Sequence, residues 1–107
     1  MASAAEVLVV DVRAVAKGYR LSTLIGTDVV SDGDEGIGTF EDLIIGKEDY
    51  ELFAVLQIGG FLGIGGRLIA IPFERLELSE ADGSARIILP GATRESLKAL
   101  PAFEYPA

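Results

Sequence analysis

Apolar residues in this chain fall in short runs of strand length, separated by polar or glycine-containing turns. Residues 7–10 (VLVV) predict a first strand, and Lys17-Gly18-Tyr19-Arg20 a turn. Residues 22–26 (STLIG) predict a single helical turn with a serine cap and a glycine stop. Asp28-Val29-Val30 starts another strand, and residues 31–36 (SDGDEG) turn the chain back, because Asp-Gly between apolar runs is a strong hairpin signal. In residues 37–45 (IGTFEDLII), Ile37, Leu43 and Ile45 share one parity while Phe40 and Ile44 share the other. A bulge near Gly38 or Asp42 reconciles the two sets.

The stretch that organises the rest is residues 53–73, FAVLQIGGFLGIGGRLIAIPF. Two apolar runs, 53–58 and 67–71, flank a connector with glycines at 59, 60, 63, 65 and 66, and together they predict a central β-hairpin. A membrane-spanning helix needs about 20 continuous apolar residues. Gln57, Arg67 and five glycines fall inside the window, so that reading fails. Phosphate-cradling loops fail as well. The dinucleotide fingerprint has Leu68 where its last glycine belongs, and no Gly-Lys-Ser/Thr is present for a P-loop.

Beyond the hairpin, Pro72 belongs at a strand end because it has no N–H to give to a ladder. A strand starts at Glu77-Leu78, residues 80–84 (EADGS) turn, and residues 85–89 return. Thr93 caps a short helix through about Leu100, with Glu95 in its first turn and Lys98 near its end, both favourable to the helix dipole. Pro101 ends it, and residues 102–107 read as a loose tail. The sum is an all-β barrel or sandwich of about six short strands with a C-terminal helix. Its expected parts are an N-terminal strand or extension (1–21), a core (22–92), and the helix and tail (93–107).

Four segments carry a resemblance: LIGTDVV at 24–30, GIGTFEDLII at 36–45, AVLQIGGFLGIGGRLIAIPFERLEL at 54–78, and ATRESLKALP near the end. Together they resemble the PRC-barrel domain family, which includes the soluble portion of the photosynthetic reaction centre H subunit and the C-terminal half of ribosome maturation factors. The resemblance implies a small, strongly bent β-barrel that acts as an adaptor or assembly module, with no shared catalytic set.

Charge changes the picture in one place. The chain has 9 basic and 17 acidic residues, net −8. Residues 28–51 hold nine acids against Lys47 alone, which is 1 − 9 = −8, so the remainder balances. Such a field repels phosphate backbones and disfavours nucleic-acid partners. It reads as a solvated face, with docking of a basic protein partner as the sharper alternative. Arg13, Lys17 and Arg20 form the only local basic cluster, too poor in aromatics for a nucleic-acid platform.

Chemistry is sparse. With no cysteine and no histidine, thiol chemistry, disulfides, triads of ordinary type and common zinc sites are excluded. A calcium loop of EF-hand type starting at Asp32 would need glycine and glutamate where Ile37 and Leu43 stand. Adjacent Glu41 and Asp42 point to opposite faces of a strand and do not converge as an acid–base pair; a cap or turn-satisfying role suits them better. No catalytic, cofactor or metal site is therefore expected. The N-terminus lacks the pattern of a secretory signal, so a cytoplasmic location without membrane insertion is expected.

Two functions fit this profile. The first is a non-catalytic protein-interaction module that self-associates. The second is a small-ligand or ion-binding regulatory domain that uses the acidic loops or the barrel mouth. Both parities of the central hairpin are apolar, so something must cover its outer face. A homodimer follows as the expectation, with Phe61, Leu62 and Ile64 at or near the contact and Phe53, Val55, Ile69 and Ile71 contributing.

Overall fold

The computed structural model describes residues 4–61 and 64–106. Six strands are present: β1 (Asp28–Val30), β2 (Gly36–Ile45), β3 (Leu52–Phe61), β4 (Ile64–Pro72), β5 (Glu77–Ala81) and β6 (Ser84–Ile88). They form one sheet in the order β4-β3-β2-β1-β6-β5. All pairs are antiparallel except β1 and β6, where Val29 lies opposite Ile87 and Val30 opposite Ile88. The sheet is thus mixed and open, with β4 and β5 as its edges, rather than closed into a barrel. The free edge of β4 is taken instead by the C-terminal tail, where the Phe103 N–H donates to the Leu68 carbonyl at 2.7 Å.

The expected N-terminal strand is absent. Residues of that segment form two short helices, α1 (Ala4–Leu8) and α2 (Val12–Ala16). The β-branched run offered strand propensity but found no ladder partner, whereas a helix satisfies its own backbone groups. Asp11 caps α2, its carboxylate accepting from Arg13 N and Ala14 N at 3.1 and 3.3 Å. A third helical turn, α3 (Leu21–Leu24), buries Leu24 and stops before Gly26, whose φ is +89°. Arg20, not Ser22, occupies its N-cap position.

Two bulges place one apolar set on the core side. Between β1 and β2, Val29 pairs with Gly38 and Val30 with Gly36, so Ile37 is the extra residue. Between β2 and β3, Phe40 pairs with Leu56 and Asp42 with Val55, so Glu41 is extra. Each extra residue shifts the alternation by one. As a result Ile37, Phe40 and Leu43 all turn to the core although their spacing is irregular. Val29, Phe40, Ala54, Leu56, Ile69 and Ile87 are fully buried there, and the Phe40 ring meets Phe73 edge-on at 6.3 Å.

The central hairpin is longer than its apolar runs. Backbone pairing continues through Gly59–Gly66 to Phe61–Ile64, so most of the expected glycine connector is strand. The β5–β6 turn is as the sequence predicts, with Asp82 and Gly83 at φ 52° and 78°. Helix α4 (Arg94–Lys98) begins at Thr93, which forms a capping box with Ser96, and it adds Leu97 to the core. Arg67 ties the hairpin to this helix by donating to the Lys98 and Leu100 carbonyls. A cation is well placed at those carbonyls, because they carry the negative end of the helix dipole.

Candidate functional site

Three surfaces position polar or apolar groups that the core does not use. The first is a cleft of about 670 Å³ where the sheet divides. The β2–β3 ladder stops at Thr39–Gln57; beyond it β2 continues with β1 and β3 with β4. Asp28, Thr39 and Gln57 lie on its walls, with Arg94 and Lys98 reaching in from α4. Arg94 Nε donates to the Gly36 carbonyl at 3.0 Å and stands 3.6 Å from Glu35. The cleft gathers two cations and one carboxylate around backbone groups, an arrangement able to hold a small polar molecule.

The second is an apolar groove of about 240 Å³ at the opposite end of the hairpin. Leu52, Pro72 and Phe73 line it, and Glu51 and Glu74 bring negative charge. The third is the N-terminal arm. Residues 6–20 are all exposed, with Val7, Leu8, Val9, Val10, Val12 and Val15 each 60% exposed or more. The radius of gyration is 16.4 Å, against about 13 Å for a compact chain of this length. The difference fits an arm that stands off the body.

The chain's own C-terminal tail reaches across the hairpin at two points. Asp42, Val55 and Ala70 lie in register across β2, β3 and β4. The tail, expected to be loose, runs from Leu68 on β4 to β2, where the Tyr105 hydroxyl donates to Asp42 at 2.9 Å. Phe103 and Tyr105 meet edge-on at 5.0 Å along this path, and Val55, on the strand between β2 and β4, is fully buried. The other Asp42 oxygen accepts from Leu43 N at 2.8 Å, so this carboxylate satisfies the bulge rather than serving a reaction. Glu41 is exposed beside it.

Desolvation holds the Tyr105 phenol above its ordinary value of 10.0, helped by the hydrogen bond to Asp42 and by the charges of Asp42 and Glu41. The folded chain favours the protonated phenol. Its contribution is therefore complete below pH 10 and is lost as pH rises through the folded value. Asp42→Asn is expected to bring the phenol back towards its ordinary titration, followed through the Tyr105 ring-carbon resonance. An unchanged titration would contradict the tail contact.

Of the residues expected at a dimer contact, Val55 and Ile69 are 0% exposed and Ile71 7%. Ile69 and Ile71 belong to the core and Val55 is fully buried, so these three present no surface on the single chain. Phe53 is half-buried opposite Pro72. Phe61 and Ile64 form the last backbone pair of the hairpin, and Leu62 lies outside the described residues. What periodicity missed is the arm, because its valines read as strand.

The acidic turn is more than a solvated face. Asp34 pairs with Arg86, and Asp32 accepts from Gly91 N at 2.7 Å, tying the β1–β2 turn to β6 and the chain after it. Among the described residues, no group of three or more acidic side chains is placed to hold a metal ion. Nor is any described helix long and apolar enough to cross a membrane.

The architecture is a small, open, six-stranded mixed sheet with a short helix packed beside it. The chain matches the PRC-barrel domain family over residues 16–93, and it belongs to that family. No curated protein matches it. The match covers α3, all six strands and the turn before α4, and it leaves most of the exposed arm outside.

Proposed function

We propose that the protein is a non-catalytic interaction and assembly module that associates with itself. One observation carries this reading. Of the thirteen large apolar side chains exposed among the described residues, nine lie between Val7 and Ile25. Scattered exposed apolar residues are ordinary on a monomer, but a continuous run of them marks a contact surface. Glu48, Asp49 and Glu51, which have no ion-pair partner among the described residues, give the β2–β3 loop a face suited to a basic partner segment.

The cleft beside α4 favours the second reading, a small-ligand regulatory domain. Binding pockets are mostly apolar and enclose their ligand. This cleft has two cations, a carboxylate and polar backbone around it and is broadly open, which makes it the weaker basis.

Co-expression of tagged and untagged copies tests self-association. The untagged chain is expected to be recovered with the tagged one after affinity purification and a wash of moderate salt. Recovery of the tagged chain alone would contradict it.

A further inference from the structure

We propose that the arm, residues 7–20, docks on the Leu52–Phe73 groove of a second copy, so that two chains exchange arms. The inference rests on the self-association reading and names its surface. The arm supplies exposed valines and the groove supplies an apolar floor of Leu52, Pro72 and Phe73. Their charges are complementary. Residues 11–20 carry Arg13, Lys17 and Arg20 against Asp11, and none of these three cations has an ion-pair partner among the described residues. The groove is flanked by Glu51 and Glu74, and the acidic β2–β3 loop adjoins it.

A second copy fits better than a bilayer. A chain of net charge −8 is repelled by an anionic membrane surface, and Asp11 interrupts the apolar run in its middle. Docking on a second copy places the arm's cations against Glu51, Glu74 and the acidic β2–β3 loop. It also covers both apolar surfaces in one contact, and a two-fold exchange repeats that contact and closes the assembly at two chains.

The test compares full-length variants by light scattering during size exclusion. Because α2 buries no residue, Val9→Asp with Val12→Asp is expected to leave the circular dichroism spectrum unchanged while shifting the dimer to monomer. Arg13→Glu with Lys17→Glu is expected to weaken the dimer about tenfold or more, and so is Glu51→Arg with Glu74→Arg. Combining all four charge reversals is expected to restore it. A dimer indifferent to the valine changes would overturn the arm contact yet leave self-association standing. A monomer at every concentration would overturn both. A monomeric wild type that sediments with phosphatidylglycerol vesicles, and loses this on Val9→Asp with Val12→Asp, would overturn the proposal in favour of a membrane contact.

Discussion

Phe40→Ala is expected to cost about 4 kcal/mol of folding stability and to lower Tm by roughly 20 °C. Phe40 is completely buried in the core cluster and packs edge-on against Phe73. It also stands where β2 begins to serve two neighbours. Its backbone bonds Gly26 and Thr27 on one side, and it pairs with Leu56 of β3 on the other. Removal of the ring leaves a cavity that the hydrogen-bonded strands around it close only in part. A loss of this size is a large fraction of the stability of a small domain, about 5–15 kcal/mol in all. Ile45→Ala is the control, since that side chain is 56% exposed. It should change stability by no more than about 0.5 kcal/mol. Thermal and urea unfolding measure both. A loss below about 1 kcal/mol at Phe40 would mean that the core is not organised as described.

Gly38→Ala is the second large effect, expected at about 2–3 kcal/mol destabilising. The reason is steric. A Cβ at Gly38 would lie 2.8 Å from the Gln57 carbonyl oxygen and 3.2 Å from Ile58 Cγ2, at the point where β2 and β3 part. The backbone oxygen belongs to a paired strand and has no room to yield. Gly36 lies two residues away on the same strand, with nothing within 4 Å of its added Cβ. Gly36→Ala is expected to be neutral or to stabilise slightly, because alanine restricts the unfolded chain. Opposite signs at two glycines of one strand are a demanding outcome for urea titrations. Equal effects would contradict the divergence of the sheet at Thr39–Gln57.

Strand existence was legible wherever turn chemistry and apolar runs agreed. Asp82-Gly83 and the acidic turn at 31–36 each announced a reversal, and Thr93 announced the last helix. The irregular parities of β2 were legible as a bulge, and the structure has two, at Ile37 and Glu41. Pairing was not legible. The parallel contact of β1 with β6 depends on the path of the whole chain, and nothing local in Val29 or Ile87 encodes it.

The candidate surface was misplaced for a related reason. Apolar residues on both parities of the hairpin signal that both faces are covered, yet they do not name the cover. Phe103 and Tyr105 reach β4 and β2 from a tail that looked loose because it is short and has no periodicity. In the arm the error ran the other way. Its valines suggested a strand, whereas Ala14, Ala16 and the Asp11 cap favour helix once no strand is available as a partner. That segment pairs with neither edge of the sheet, and residues 6–20 are exposed throughout.

Sedimentation equilibrium of the full-length wild-type chain across micromolar dilution tests the assembly reading most directly. The expected result is a reversible rise from the 11.3 kDa monomer to twice that mass with increasing concentration. A single 11.3 kDa species at every concentration would contradict it.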